Sequence, residues 1–248
     1  MISTTALKKI AQQTGLTLYQ QEKDYLLKLF LYNYYNTFND AIFKGGTCLN
    51  YVYGLPRFSG DLDFNISIPS DKFKKQTLSV IKTIKQTGLT PYLIKEERFT
   101  HAYTCEIGIH GPLYKGTELS RNKIRIDAGK RIGTALPTLW KIIKSEYPET
   151  KNHFLVHTMN EEELLVEKII AMMNRDKGRD LYDIWFLLEK GTNLNKKLFK
   201  QKTNTPFTID AIPTQKTYQR DITKLTNQII PYDQLTKTVK QKLEILQK

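Results

Sequence analysis

Two carboxylates one residue apart, Asp61 and Asp63, follow the tripeptide Gly45-Gly46-Thr47 after thirteen intervening residues. Alternate side chains of a strand share a face, so both carboxylates point the same way, roughly 7 Å apart along the chain. Leu62, Phe64 and Ile66 point the other way, into a core. Like charges so placed repel unless a cation lies between them, and a hard divalent ion such as Mg²⁺ suits an all-oxygen donor pair. The glycine pair lets backbone approach a ligand closely, and a helix starting just after it offers unpaired N–H groups to phosphate. An anion cradle beside a metal pair is equipment for a metal-bound triphosphate.

The elements that must position these groups are legible on either side. Ala41-Ile42-Phe43 reads as a short strand running into the glycines, Thr47 to Tyr53 as a compact helix, and Gly54-Leu55-Pro56 as a turn. Asp61 to Ile66 reads as a second strand. Upstream, Ser3 to Thr14 and Gln20 to Phe38 read as helices, with Leu26, Leu29, Phe30 and Tyr34 at three- and four-residue steps on a buried face. Tyr19, Tyr25, Tyr32, Tyr34 and Tyr35 have rings on which bases could stack, but helical spacing favours core packing.

Downstream, Ser70 is expected to cap a lysine-rich amphipathic helix reaching Gln86 and ended by Thr87-Gly88. Tyr92 to Arg98, Ala102 to Ile109 and Lys123 to Ala128 read as strands. In the last of these Ile124 and Ile126 face one side, and Lys123, Arg125 and Asp127 the other. That polar side either meets Asp61 and Asp63 or is the solvated face of an edge strand. His153 to Thr158 reads as one more strand. Asn160 then caps a helix with Glu161, Glu162 and Glu163 in its first turn, Glu163 standing where a capping box needs it. Its buried side comes from Leu164, Leu165, Ile169, Ala171, Met172 and Met173. Asn174 to Gly178 reads as a charged loop, and Asp180 to Leu188 as a helix closed by Gly191, with Arg179 and Asp183 spaced to pair. Pro206, Pro213 and Pro231 punctuate short helices before a final helix from Tyr232.

Composition bounds the function. The chain is 40% hydrophobic and 25% charged, as in an ordinary soluble globule, and its 248 residues suffice for one large domain or two small ones. No apolar run approaches membrane-spanning length, and the N-terminus lacks the charged-then-apolar order of a signal peptide. Two cysteines, Cys48 and Cys105, provide no disulfide framework and fit a reducing cytoplasm. The four histidines form no zinc set with them. No Ser-His-Asp arrangement, dinucleotide fingerprint or P-loop occurs. The net charge of +13 is uneven: from Lys190 onward twelve basic residues face four acidic ones, a net +8. Such a tail is either a solvated helical surface or a nucleic-acid footprint.

Glycine-glycine-threonine, thirteen residues and Asp-x-Asp together resemble the pattern of the polymerase-β-like nucleotidyltransferase superfamily. Gly45-Gly46-Thr47-x-Leu49, Arg57-Phe58-Ser59-x-Asp61-Leu62-Asp63-Phe64, Glu167-Lys168 and Arg179-Asp180-Leu181-Tyr182-Asp183 are similar to the AbiEii/AbiGii toxin family. These are nucleotidyltransferase toxins of two-gene toxin–antitoxin and phage-abortive systems. The matching blocks cover Phe43 to Phe64 and Glu161 to Leu188, with weaker similarity between. The resemblance implies an α/β fold whose mixed, largely antiparallel sheet carries three aspartates. A nucleotidyltransferase core with N-terminal helices is expected over residues 1–159 and a helical C-terminal domain over 160–248. The implied activity is Mg²⁺-dependent transfer of NMP from an NTP to an acceptor hydroxyl, the 3′ end of a tRNA, by a toxin with a cognate antitoxin protein.

Under that resemblance Asp61 and Asp63 hold two Mg²⁺ ions about 4 Å apart, with Asp127 as third carboxylate and Glu106 on the neighbouring strand as its rival. Gly45, Gly46, Thr47, Arg57, Ser59 and Lys168 are the expected nucleotide contacts, Lys168 also counting with the aspartates as catalytic. Arg179, Asp180 and Asp183 are expected to support it, orienting Lys168 or Arg179. Each has a plainer alternative: Arg57 pairing with an aspartate to hold its loop, Ser59 capping a turn, Lys168 solvated on a helix. Gly60, directly before the aspartate pair, leaves the loop geometry open. Two further readings stand beside RNA modification, nucleotidylation of a protein hydroxyl and a catalytically silent RNA-binding module. Retaining two like charges without a metal argues against silence.

Overall fold

The strands of this computed structural model, which describes residues 1–129 and 133–247, run β1 Ala41–Lys44, β2 Asp61–Ile66, β3 Thr90–Phe99, β4 Ala102–His110, β5 Asn122–Gly129, β6 Leu139–Lys144 and β7 His153–Thr158. They form one seven-stranded sheet in the order β3-β4-β5-β2-β1-β7-β6. Its β2–β5 and β1–β7 pairs are parallel and the other four antiparallel, so the fold is mixed and largely antiparallel α/β. β5 lies between β4 and β2 and is no edge strand. β6, an edge strand, has no sequence signature: Trp140, Lys141 and Ile142 are successively exposed, so no apolar-polar alternation marks it.

Packing divides the described chain into two compact units. The first comprises Met1–Val52, Gly60–Gly133 and Thr138–Thr158, and holds the sheet. Its helices start where local chemistry allows: Ser3 accepts from the Ala6 N–H at the head of α1 (Thr4–Thr14), and a Thr17–Gln20 capping box opens α2 (Leu18–Tyr35). α3 (Gly45–Tyr53) begins two residues before the expected Thr47, at Gly45 itself. α4 (Ser70–Lys85) is entered through Pro69, and Ser70 caps nothing: its hydroxyl donates to the Phe99 carbonyl at 3.0 Å. Phe64 is the centre of the core, its ring 5.7–5.8 Å from those of Tyr34, Phe43 and Phe73. Each such buried aromatic contributes about 1.5–3 kcal/mol of hydrophobic stabilisation. Tyr25 and Tyr34 are core residues, whereas Tyr19 is exposed.

The second unit, Tyr53–Ser59, Thr134–Pro137 and Met159–Lys248, is helical: α5 Glu161–Asn174, α6 Gly178–Glu189, α7 Lys196–Lys202, α8 Gln215–Ile222 and α9 Tyr232–Leu243. Asn160 caps α5 through the Glu162 N–H at 2.9 Å. Glu163 closes no capping box. Its carboxylate accepts from the Ala135 and Leu136 N–H groups and pairs with Lys202 at 2.6 Å, all away from the helix start. α6 begins two residues before the expected Asp180, at Gly178, which packs so tightly on α8 that a Cβ there would fall 2.8 Å from the Thr217 carbonyl oxygen. No helix among the described residues is long and apolar enough to cross a membrane.

Candidate active site

The register of the sheet sets the site. Residues paired across strands share a face, so β2, β5, β4 and their neighbours present two charged rows. One row reads Lys95, Glu106, Arg125 and Asp61 across β3, β4, β5 and β2. The other reads Glu97, Thr104, Asp127, Asp63 and Lys44, ending on β1. Leu62, Phe64, Ile124, Ile126 and Cys105 fill the opposite, buried face. Asp127 is thus the direct neighbour of Asp63, while Glu106 is separated from Asp61 by the whole of β5 and pairs with Lys123 at 3.0 Å.

Gly45 faces this pair at close range. It has φ +76°, where a side chain is strained, and a Cβ on it would lie 2.8 Å from the Asp63 carboxyl carbon. Gly46 is buried behind it. The Thr47 hydroxyl donates to the Asp61 carbonyl at 2.5 Å from a fully buried position, so its side chain ties α3 to the start of β2. Asp127 accepts from Thr104 at 2.8 Å and from the Arg125 Nε at 2.8 Å. The bond to the Asp127 carboxylate, and its charge, hold the Arg125 guanidinium above its ordinary pKa.

Asp61 and Asp63 have the donor chemistry a hard divalent cation requires, two carboxylates on one half-buried face. Among the described residues no three His, Cys, Asp or Glu side chains gather in a metal-holding arrangement. Asp127, the neighbour of Asp63 in the register, is held by Thr104 and Arg125.

Lys23 is a cation of this face that sequence reasoning missed. It comes from α2, and a Cβ on Gly60 would lie 2.8 Å from its Cε and 3.0 Å from its Nζ. The empty side-chain position of Gly60 is what admits the lysine. Burial lowers its pKa below the usual lysine value, and the charge of Asp61 works the other way. No periodicity signals such a contact, because tertiary docking of α2 creates it.

The remaining expected residues belong to the second unit. Arg57 is 3% exposed and grips Asp183 with two bonds of 2.6 Å, from Nε and Nη2. Its alternative reading, an aspartate pair that holds the loop, is the arrangement found. The same loop is tied down by Phe58 N–H donating to the Leu225 carbonyl at 2.7 Å and by Thr226 donating to the Pro56 carbonyl at 2.7 Å. Ser59 is half-buried beside it. Lys168, 8% exposed, meets Asp183 at 2.8 Å and Asp180 at 3.2 Å. Arg175, not singled out from sequence, closes the network on Asp180 at 2.7 and 2.9 Å. Arg179 makes no ion pair with Asp183 among the described residues, since that carboxylate is already taken by Arg57 and Lys168. Burial alone would raise the Asp183 pKa, but the charges of Arg57 and Lys168 carry it below the ordinary value.

The basic tail is partly structural. Lys202 is buried between Glu163 and Glu167, and Lys190 pairs with Glu161. Lys196 and Lys200 instead rim a cleft of about 340 Å³ floored by Phe199 and Leu246. Cys48 and Cys105 are free and buried, burial pushing the Cys105 thiol up to about 12.

A family model described as the nucleotidyl transferase AbiEii toxin of type IV toxin–antitoxin systems matches residues 30–243. No curated protein matches the chain in sequence. Among solved structures the chain is similar to MenT4, a nucleotidyltransferase toxin from Mycobacterium tuberculosis H37Rv. That match has a TM-score of 0.71 at 18% identity, covering 99% of this chain and 90% of that one. It is also similar to JHP933 from Helicobacter pylori, with a TM-score of 0.60 at 19% identity over 92% and 91% of the two chains. At these identities the structural likeness concerns the fold.

Proposed function

The chain belongs to the AbiEii family of nucleotidyltransferase toxins of type IV toxin–antitoxin systems, and we propose that it transfers NMP from an NTP to the 3′ end of a tRNA. The observation that supports this reading is the register that pairs Asp127 with Asp63, the carboxylate packed against Gly45. Mg²⁺, held by Asp61 and Asp63 with Asp127 as third carboxylate, would supply charge neutralisation at the triphosphate and a lowered pKa for the acceptor hydroxyl.

The protein's own groups do the rest. We assign phosphate contact to the first backbone N–H groups of α3, which lack helical partners. Arg125 and Thr104 hold the Asp127 carboxylate beside Asp63. Lys168 has two of its three ammonium hydrogens directed to Asp180 and Asp183, and the third is our candidate for a triphosphate oxygen. Arg57 holds Asp183 in place, and the fixed Asp183 in turn orients Lys168. We assign metal binding to the first unit and the main electrostatic recruitment of the acceptor to the basic second unit, and we expect a cognate antitoxin partner from the family. The test is incubation with each α-labelled NTP, Mg²⁺ and either tRNA or total protein. Label on tRNA supports the reading. Label on protein alone would make the acceptor a protein hydroxyl, and label on neither would favour a silent RNA-binding module.

A further inference from the structure

Lys23 is fixed in place by groups that have no part in the metal pair. The Thr17–Gln20 capping box sets the first turn of α2. Asn122, at the start of β5, donates to the Tyr19 carbonyl and to the Glu22 carboxylate, both at 3.1 Å. Glu22 also accepts from the Leu113 N–H at 2.8 Å, and a Cβ on Gly111 would fall 2.7 Å from it. The start of α2 is thereby clamped to the start of β5, beside the start of β2. Lys23, the next residue, lies over Gly60 with its ammonium on the Asp61 side. It forms no ion pair among the described residues, whereas Lys123 and Arg125 nearby are each matched by a carboxylate. The Lys23 ammonium thus feels the charge of Asp61 without an ion pair to it among the described residues, and its hydrogens can still serve a phosphate oxygen.

Which anion follows from position along β2. Gly45 and the start of α3 stand at Asp63, and Lys23 stands at Gly60, three residues and so about 10 Å away along the strand. The triphosphate belongs to the Gly45 end on the function proposed above, on which this inference rests. We propose that Lys23 receives a backbone phosphate of the acceptor RNA strand and so aligns its terminal hydroxyl at Asp61. Gly60 is then a specificity device: any side chain there would push the ammonium off its position.

The test uses the full chain and a 5′-fluorescent 12-nucleotide single-stranded RNA, with anisotropy read across a NaCl series without metal. ATP affinity is measured separately with Mg²⁺ and no RNA. Lys23→Met, which keeps the methylenes, should weaken RNA binding about 5–10-fold and flatten the plot of log affinity against log salt by about 0.7, one phosphate contact on a single strand. ATP affinity should stay within about twofold, and Lys23→Arg should restore most RNA affinity. Gly60→Ala keeps the charge but displaces it, and should reproduce part of the RNA defect and flatten the salt slope in the same direction. Unchanged RNA affinity in both Lys23→Met and Gly60→Ala would overturn the proposal. A loss confined to ATP would also overturn it, by moving the ammonium to the triphosphate. These binding slopes stand apart from turnover. Failure of the wild type to label RNA would sink the proposed reaction, and slopes that ignore Lys23 would sink only this assignment.

Discussion

At the scale of residues, Gly45 and Asp63 form the tightest dependency in the site. Any Cβ at position 45 would meet the Asp63 carboxyl group, and φ +76° adds backbone strain. Gly45→Ala should therefore lose about 1–2 kcal/mol of stability from the left-handed conformation and lose transfer activity beyond that. Urea denaturation beside label transfer checks both, and a stable, fully active variant would contradict the close approach. Asp127 and Glu106 separate by substitution. Asp127→Asn keeps shape and removes charge, and should lower transfer at least 100-fold, while Glu106→Gln should leave most of it. The reverse outcome would give Glu106 the role of third carboxylate. The alternation that put Asp61 and Asp63 on one face is written in the sequence, since strand period is local. The neighbour of Asp63 is not, because no residue between β2 and β5 encodes their parallel register.

At the scale of elements, the second unit turns on α5, α6 and the loop bearing Arg57. Asp183 is fully buried and receives two cations, Arg57 and Lys168. Asp183→Ala would leave both without their partner, and should destabilise the protein by about 3–5 kcal/mol. Equilibrium urea unfolding measures it, and a loss below about 1 kcal/mol would show that the network is dispensable. The pH dependence follows from the same network. Because the folded pKa lies below the unfolded value, near 3.9, the stabilisation is fully present above about pH 4 and disappears as pH falls through the folded pKa. Wild type should thus lose stability below pH 4 more steeply than Asp183→Asn. Sequence spacing suggested an Arg179–Asp183 pair on one helix turn, but Arg57, distant in sequence, takes that carboxylate. Helical period could not reveal that, nor the docking of α2 that brings Lys23 to Gly60. β6 went unseen for a related reason, since an edge strand with successive exposed residues lacks the alternation on which recognition depends.

At the scale of the whole molecule, the charge of +13 and the +8 carried from Lys190 onward are the electrostatic case for a polyanionic acceptor. Burial of Lys202 and pairing of Lys190 reduce the free part of that charge, while Lys196 and Lys200 rim the cleft and Lys197, Lys216, Lys237, Lys240 and Lys242 are exposed. Reversing Lys196 and Lys197 to glutamate should weaken tRNA binding several-fold and lower its salt slope by about 1–2, with NTP affinity nearly unchanged. Unchanged tRNA affinity would place acceptor recruitment in the first unit. The account as a whole rests on Asp61 and Asp63 forming the centre of a metal-dependent nucleotidyl transfer. The most direct measurement is label transfer from α-labelled NTP to tRNA by wild type and Asp63→Ala, each with Mg²⁺ or EDTA, with both folds checked by circular dichroism. The account predicts transfer only by wild type with Mg²⁺ and an intact fold in the variant. Wild-type activity in Asp63→Ala would contradict it.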